Sequence, residues 1–259
     1  MAEDWALHRD RRRAGSFGDD AERYDRVRPP YPEALIDSLL STGGRTVLDV
    51  GCGTGIAARL FMARGCDVLG LEPDPRMAAV ARRRGVRVEE GTIEEWSPGD
   101  RRFDLLTAGQ AWHWVDPARG PVAAAAALHP GGRIGLFWNQ AHHDSSVRPA
   151  LDAAYASQAP ELGRQSVLMG RRDVSLYESV ADSFRSTGAF DDVAIELFGH
   201  DVDYSGAEWV ELAGTHSDHS TLPPAQLADL LAELGHQIDR VGGRVPVHYE
   251  TTLVSGRRR

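Results

Sequence analysis

The sequence predicts a doubly wound α/β fold, in which helices cover both faces of a mostly parallel sheet. Two observations support this prediction. Short apolar segments rich in β-branched residues alternate with helical segments from residue 45 to residue 141, and this alternation is typical of a parallel sheet. The first apolar segment also runs directly into a glycine-rich turn, residues 51–55, that opens a helix. In open α/β sheets such a turn lies where ligands bind, at the carboxyl ends of the strands.

The elements of the first half can be assigned in chain order. A polar arm and a Pro-rich turn precede a helix that Pro32 opens, with Leu35, Ile36 and Leu39 on its apolar face. The glycine turn leads into a second helix, which ends near Gly65, and further helices are predicted at 74–85 and 117–129. Five short apolar runs between these helices are predicted strands: 45–50, 67–72, 86–92, 103–110 and 133–140.

From about residue 142 the alternation ends. Helices are predicted at 148–162 and 222–243, and strands at 191–202 and 245–256. These two strands would complete a Rossmann-like, seven-stranded sheet whose last strand is antiparallel, with the helices inserted as a cap. We therefore expect one domain over residues 1–259. It would consist of an N-terminal arm (1–31), a ligand-binding core (32–141) and closing strands with cap insertions (142–259).

Composition and charge exclude several kinds of protein. The formal net charge is −9, whereas a broad nucleic-acid surface needs a positive field. No run approaches the ~20 apolar residues of a membrane span, and the first residues lack the apolar stretch of a secretory signal. Cys52 and Cys66 are the only cysteines, so no disulfide framework is implied. The expectation is a cytoplasmic protein that binds no membrane and for which nucleic acid is a disfavoured partner.

An acidic residue beside the glycine turn distinguishes two classes of nucleotide ligand. The glycines of residues 51–55 let the backbone turn sharply and let a ligand approach closely. Dinucleotide-binding turns have a further glycine where this chain has Ile56. Asp49 would repel a pyrophosphate, but a carboxylate suits a ligand that carries a positive charge. Glu72 ends the second strand, where an acid can accept hydrogen bonds from both ribose hydroxyls.

Three stretches carry a resemblance to a known family. The pattern D-x-G-x-G-x-G of residues 49–55 resembles motif I of class I S-adenosylmethionine-dependent methyltransferases. FGDDAERYDRVRPPYP, residues 17–32, is similar to the arm before motif I in the trans-aconitate methyltransferase-like branch, and GTIEEW, residues 91–96, to the adenine-binding loop. The resemblance implies S-adenosylmethionine as cofactor, with Arg28 near its carboxylate. It implies a cofactor site formed by Tyr24, Arg28, Asp49, Gly51, Cys52, Gly53, Glu72, Pro73, Thr92, Ile93, Glu94, Gly109 and Gln110.

The segment GQAWHWVDP, residues 109–117, follows the fourth strand and is predicted to form a wall of the binding site. The rings of Trp112 and Trp114 are expected near the transferable methyl group, as substrate-binding residues. The segment is also similar to the "HW" stretch of plant carboxyl methyltransferases, in which a tryptophan N–H holds the substrate carboxylate. That resemblance implies the same role for Trp114, whose indole is a hydrogen-bond donor only. Packing in the core is the alternative for both tryptophans.

Several histidines offer candidate catalytic or binding groups. His113 is the candidate general base, because an unperturbed histidine titrates near neutral pH. Alternation along the segment would instead turn it away from both tryptophans. Asn139 and His142 follow the fifth strand and are predicted to bind the acceptor. No metal site is expected, because the adjacent His142 and His143 project in different directions. The stretch 216–219 is assigned to the cap, where its histidines would line the acceptor pocket.

The leading hypothesis is methyl transfer to a small organic molecule, at a hydroxyl or carboxylate oxygen, by a monomer or homodimer. The protein would hold acceptor, methyl group and sulfur in line. A carboxylate acceptor needs no base, whereas a hydroxyl does. The alternatives are methylation of tRNA or protein, and a cofactor-binding protein without turnover. A nicotinamide oxidoreductase is disfavoured by Asp49 and Ile56.

Overall fold

The computed structural model describes residues 20–170 and 174–259, together with His8, Asp10 and Gly18. Most of the predicted arm before residue 20 therefore lies outside the described residues.

A seven-stranded sheet forms the centre of the described structure, in the order β3-β2-β1-β4-β5-β7-β6. The strands are β1 (Thr46–Val50), β2 (Asp67–Glu72), β3 (Arg87–Glu90), β4 (Phe103–Gly109), β5 (Leu128–His143), β6 (Phe190–Ser205) and β7 (Arg244–Arg258). Neighbouring strands among β1 to β5 pair in parallel, and β7 runs antiparallel to both β5 and β6. The predicted Rossmann-like sheet with an antiparallel last strand is confirmed.

Helices cover both faces of this sheet. They are α1 (Ala21–Val27), α2 (Glu33–Leu40), α3 (Ile56–Met62), α4 (Pro75–Arg83), α5 (Gly120–Ala127), α6 (Arg148–Gln158), α7 (Pro160–Gln165), α8 (Val174–Ser186), α9 (Gly206–Ala213) and α10 (Pro224–Arg240). One face buries Ile36 of α2 and Phe61 of α3, while the other buries Ala124 of α5 and Phe184 of α8. Burial of these apolar side chains is the main force that fixes the helices on the sheet.

The cap is built on the extended ends of β5 and β7. These strands pair from Arg133↔Arg257 to His143↔Val247, whereas the pairing of β4 with β5 ends at Gly109↔Phe137. The apolar faces of α6, α9 and α10 pack into one cluster on this extension. The cap therefore shares its strands with the cofactor-binding half of the sheet.

Differences from the predicted elements have local causes. The helix expected at 148–162 is divided at Ala159, because the following Pro160 disfavours a helical conformation at that residue. β5 extends beyond the predicted 133–140 in both directions, and the predicted turn at 130–132 lies inside it. α8 and α9 occupy stretches for which no element was predicted.

Candidate active site

A cavity that opens to solvent lies at the carboxyl ends of β1, β2 and β4. This is the place where open α/β sheets bind ligands. Its lining residues come from α1, the turns after these three strands and the loop after β3: Tyr24, Val50, Gly51, Gly53, Glu72, Pro73, Asp74, Met77, Gly91, Thr92, Ile93, Glu94, Gly109, Gln110, Ala111, Trp114 and Val115. The cavity thus brings together ten of the thirteen residues predicted to bind the cofactor.

The glycine turn brings backbone, not side chains, to the cavity wall. Gly51 and Gly53 have φ values of 63° and 56°, in the left-handed region that favours glycine. A Cβ atom on Gly51 would lie 2.6 Å from the Cβ of Ala111. The amide of Gly51 donates a 2.7 Å hydrogen bond to the carbonyl of Leu71, so the turn is tied to β2.

Glu72 presents a buried carboxylate to the cavity. Its Oε2 accepts a 2.8 Å hydrogen bond from the amide of Gly53, and its Oε1 accepts a 2.9 Å hydrogen bond from the amide of Asp74. Burial raises the pKa of Glu72 to about 7, although both backbone hydrogen bonds oppose the rise. Each oxygen has a second lone pair, so the fixed carboxylate can also accept hydrogen bonds from a ligand hydroxyl pair.

Asp49 lies beneath the turn and does not line the cavity. Its side chain is 1% exposed, and its Oδ1 accepts a 2.9 Å hydrogen bond from the hydroxyl of Thr107. Its Oδ2 has no hydrogen-bond partner among the described residues. Burial, with a smaller contribution from the charge of Glu72, raises the pKa of Asp49 to about 7. Asp49 and Glu72 together form an acidic pair that a positively charged ligand would stabilise in its ionised form.

The loop after β3 forms the opposite end of the cavity. Ile93 is 2% exposed and offers an apolar surface. The Oγ1 of Thr92 is buried and has no hydrogen-bond partner among the described residues. Glu94 accepts a 2.8 Å hydrogen bond from the amide of Asp116, which fixes its carboxylate beside the loop that carries the tryptophans. This end combines a flat apolar surface with polar atoms, which suits a nucleobase.

The two tryptophans have different environments. Trp114 lines the cavity. Trp112 is 1% exposed and packs in the core, with its ring centroid 5.5 Å from that of Phe184. Residues 112–114 form a 3₁₀ helix, so the two side chains are not held on one face as they would be in a strand. The binding role predicted for Trp112 is therefore corrected to a core role.

His113 accepts a hydrogen bond from a tryptophan of β5. The Nε1–H of Trp138 donates a 3.1 Å hydrogen bond to Nδ1 of His113. A neutral imidazole has one lone pair, and here that lone pair accepts from Trp138, so Nε2 carries the proton. In this arrangement the lone pair that the predicted general-base role of His113 would need is already used to accept from Trp138. Its ring also lies 4.9 Å from that of Trp114.

Besides Asp49, two residues predicted to bind the cofactor lie outside the cavity lining, Arg28 and Cys52. Arg28 donates a 2.7 Å hydrogen bond to the carbonyl of Thr215, and its guanidinium lies 4.6 Å from the centre of the Tyr24 ring. It thus joins α1 to the cap. Cys52 is buried and packs against Gly70, where a Cβ atom would lie 2.5 Å from its sulfur.

Asn139 and His142, predicted to bind the acceptor, also lie outside the cavity lining. Asn139 is buried, donates a 3.0 Å hydrogen bond to the carbonyl of Pro30, and accepts one from the Thr251 hydroxyl. It therefore holds the Pro-rich turn on the sheet. His142 is exposed on β5, with its ring 6.4 Å from that of His248.

The cap histidines form a buried network. Nε2 of His219 lies 2.7 Å from the hydroxyl of Tyr155, and its Nδ1 lies 2.7 Å from a carboxylate oxygen of Asp218. His219 is 0% exposed, so this part of the predicted acceptor wall packs inside the cap. Across the described residues, no group of three or more His, Cys, Asp or Glu side chains is placed to hold a metal ion.

α1 closes the cavity and bridges its two sides. Asp25 accepts hydrogen bonds from Arg59 (2.9 Å) and Arg84 (3.0 Å) of the core. On the opposite side Arg26 pairs with Glu211 of α9 at 2.8 Å. Six further lining residues, among them Asp74, Met77 and Ala111, were not predicted. All but Met77 are next to a predicted residue in the sequence, and that adjacency was the available signal.

Fold and cavity together define a Rossmann-like α/β protein with a cavity at the carboxyl ends of its parallel strands. Residues 47–132 match the family model described as "Methyltransferase domain". An uncharacterized methyltransferase of Geobacillus kaustophilus is 31% identical over 153 residues, which are 52% of this chain and 71% of that protein. The chain belongs to the class I S-adenosylmethionine-dependent methyltransferase family.

Other similarities extend this comparison. An uncharacterized methyltransferase of Mycobacterium tuberculosis is 44% identical over 126 residues, which are 48% of this chain and 52% of that protein. A ubiquinone biosynthesis O-methyltransferase of Alkalilimnicola ehrlichii is 35% identical over 140 residues, which are 51% and 57% of the two chains. The chain thus spans about half the length of these two curated relatives. A candidate type II methyltransferase from Anaeromyxobacter dehalogenans has the same fold, with a TM-score of 0.67 and 22% identity; the match covers 89% of this chain and 97% of that chain.

No helix in the described part of the chain has the length and apolar character to cross a membrane.

Proposed function

We propose that the protein transfers a methyl group from S-adenosylmethionine to a small organic acceptor, at an oxygen atom. The observation that carries this proposal is the set of groups that line the cavity. A fixed carboxylate lies between a nucleobase-like pocket at one end and a glycine turn over a buried acid at the other. This order matches the adenine, ribose and sulfonium parts of the cofactor.

The residues present fit this cofactor. Glu72 would accept from the ribose hydroxyls, and Ile93 with Thr92 would hold the adenine, since the Thr92 hydroxyl is buried without a partner among the described residues. Gly51 and Gly109 would allow the methionine part to approach the backbone. When bound, the cofactor supplies a methyl group activated by a sulfonium leaving group. The carboxyl groups of Asp49, beneath the turn, and Glu72, at the cavity wall, favour that positive charge and disfavour a pyrophosphate.

The methyl end of the cavity supports an acceptor that is already nucleophilic. Gly109, Gln110, Ala111 and Trp114 line this end, and none of these side chains is a base at neutral pH. The neighbouring His113 uses its lone pair to accept from Trp138. A carboxylate acceptor is ionised at neutral pH and needs no base, so it fits this end better than a hydroxyl. The name of the Alkalilimnicola relative also specifies an O-methyltransferase.

The side chains at this end would act by orientation and exclusion of water. Gln110 has a φ of 56° and donates a 3.1 Å hydrogen bond to the carbonyl of Asn139, which fixes its direction. Trp114 would cover the acceptor with an apolar ring. Orientation of this kind can lower the activation free energy of a displacement reaction by up to about 7–11 kcal/mol in favourable cases.

Cofactor binding is tested by calorimetry with S-adenosylmethionine and S-adenosylhomocysteine. Glu72→Gln should weaken both ligands by about 10- to 100-fold, because hydrogen bonds to a charged group contribute about 1.5–3 kcal/mol. Glu89→Gln is the matched control, since Glu89 accepts from Trp96 and Arg101 outside the cavity lining. The absence of any heat at millimolar ligand, with the chain folded, would refute the proposal.

Acceptor chemistry is tested with labelled S-adenosylmethionine against small carboxylic acids, phenols and tRNA. A methyl ester releases its label in alkali, whereas an aryl ether does not. We expect alkali-labile label on at least one carboxylic acid. Alkali-stable label on phenols would contradict the carboxylate assignment, and label only on tRNA would contradict the small-molecule assignment.

A further inference from the structure

Arg59 joins the glycine turn to helix α1 with a single side chain. It belongs to α3, the helix that the turn opens. Its Nη1 donates a 3.0 Å hydrogen bond to the carbonyl of Thr54, and its Nη2 donates a 2.9 Å hydrogen bond to Oδ1 of Asp25. The planar guanidinium holds two acceptors in a fixed geometry, which the point charge of a lysine does not. One group therefore sets the position of Thr54 relative to Asp25.

Both acceptors are themselves held in place. The side chain of Asp25 is 5% exposed, and its second oxygen accepts a 3.0 Å hydrogen bond from Arg84, at the end of α4. Charge-assisted hydrogen bonds of this kind are short and strong, so they fix the direction of the carboxylate. Thr54 is buried, and its carbonyl belongs to the backbone of the glycine turn. Arg59 therefore links two well-fixed parts of the molecule.

Each acceptor lies next to a residue of the cavity lining. Tyr24 precedes Asp25 on α1, and Gly53 precedes Thr54 in the turn. Tyr24 and Gly53 both line the cavity, whereas Arg59 does not. A ligand that contacts both walls would stabilise the docked position of α1. By linkage, docked α1 stabilises the bound ligand by the same factor.

A neighbouring ion pair attaches α1 to the core without reaching the glycine turn. Glu22 of α1 pairs with Arg83 of α4, and both side chains are more than half exposed. An ion pair at the surface contributes little to the position of a helix. This pair is therefore a matched control for the bridge that Arg59 forms.

We propose that Arg59 is a positioning residue for the cofactor, which holds Tyr24 of α1 against the glycine turn. S-adenosylmethionine then binds between two walls whose spacing is already set, so less freedom is lost on binding. This inference rests on the proposed function. Arg59 does not contact the cofactor, and its effect passes through Asp25 and Thr54.

The test is a double-mutant cycle on the affinity for S-adenosylhomocysteine, measured by calorimetry on full chains whose folding is checked by circular dichroism. Arg59→Met removes both hydrogen bonds and should weaken binding about fivefold, the low end of couplings between sites, because the guanidinium is partly exposed. Asp25→Asn should also weaken binding. In the Arg59→Met background the same change should add at most about a twofold loss, because the contact is already absent. Arg83→Met should change affinity by less than about twofold.

Two further measurements distinguish a bridge from a simple charge or a structural role. Arg59→Lys keeps the charge and should recover only part of the affinity; full recovery would overturn the bridging role. In wild-type protein, S-adenosylhomocysteine should slow amide hydrogen exchange in residues 21–28. This measurement needs no variant, so it decides the matter if Arg59→Met folds poorly, and unchanged exchange would overturn the inference.

The outcomes for the two proposals are separable. If wild-type protein binds neither S-adenosylmethionine nor S-adenosylhomocysteine, the proposed function fails, and this inference fails with it. If wild-type protein binds them but the losses from Arg59→Met and Asp25→Asn simply multiply, only the positioning role of Arg59 is refuted.

Discussion

Replacement of Asp49 by asparagine tests whether a buried carboxylate controls the pH dependence of stability. Asp49 is 1% exposed, and burial raises its pKa from 3.8 to about 7. A carboxyl whose pKa is raised on folding contributes stability that is fully present below its unfolded pKa and is lost as the pH rises through about 7. Asparagine has nearly the same shape and can keep the hydrogen bond from Thr107, but it does not ionise. The free energy of unfolding of Asp49→Asn should therefore not fall in this way as the pH rises through about 7.

The magnitude follows from the two pKa values. From about pH 5 to pH 7 the unfolded carboxyl is ionised while the folded one holds a proton. Over this range each pH unit changes the free energy of unfolding by about 1.4 kcal/mol. Wild-type protein should therefore lose up to about 2.7 kcal/mol relative to Asp49→Asn. We expect a difference of about 1–3 kcal/mol, because relaxation around a buried charge reduces its cost.

Urea unfolding of the ligand-free chain at pH 5, 6, 7 and 8, followed by circular dichroism, measures this difference. Asp104→Asn is the control. Backbone amides of Arg45 and Thr46 donate to Asp104 and lower its pKa, so Asp104 is ionised over this whole range. Asp104→Asn should be less stable than wild type by the same amount at every pH from 5 to 8. If the difference between wild type and Asp49→Asn stays flat from pH 5 to pH 8, the reasoning about the buried carboxylate is refuted.

Three further predictions concern the cavity. Affinity for S-adenosylmethionine should rise by up to about tenfold between pH 6 and pH 8, measured by calorimetry, because the two buried carboxylates ionise near pH 7 and favour a positive ligand; a flat or falling affinity would contradict this. Gly51→Ala should cost at least about 2 kcal/mol in urea unfolding and abolish cofactor binding. Gly43→Ala is the control, since Gly43 has a φ of 86° and nothing lies within 4 Å of the added Cβ. It should lower the free energy of unfolding by only about 1 kcal/mol. Equal losses of stability in Gly51→Ala and Gly43→Ala would count against the steric argument. Trp112→Phe should lower the free energy of unfolding by about 1–3 kcal/mol. Trp114→Phe should leave stability nearly unchanged but reduce the change in fluorescence on cofactor binding. The reverse result would overturn the positions assigned to the two tryptophans.

The sheet was predictable because its signals are local. The predicted bounds of β2 coincide with the observed Asp67–Glu72, since a run of apolar residues is closed at both ends by charged ones. The glycine turn and Glu72 were predictable as site residues for a related reason. Each follows a parallel strand, and the ends of parallel strands meet at one edge of the sheet.

The wall at the methyl end depends on contacts between distant segments and was less predictable. Strand-like alternation misplaced Trp112, because the chain turns into a 3₁₀ helix at that point. The tautomer of His113 is set by Trp138, which lies 25 residues further along the chain. The approach of Tyr31 to Gly109 requires the Pro-rich turn to be anchored by Asn139. No periodic pattern in the sequence predicts these three contacts.

The continuous pairing of β5 with β7 limits how ligands can enter and leave. Because the same two strands run through both the cofactor half and the cap, a clamshell rotation of one against the other would have to break hydrogen bonds of the ladder. Such a rotation is costly compared with a displacement of the seven-residue helix α1, which ion pairs of Asp25 and Arg26 and two buried apolar side chains hold in place. We therefore expect cofactor and product to enter and leave beside α1, which supplies Tyr24 to the cavity lining and does not belong to the ladder.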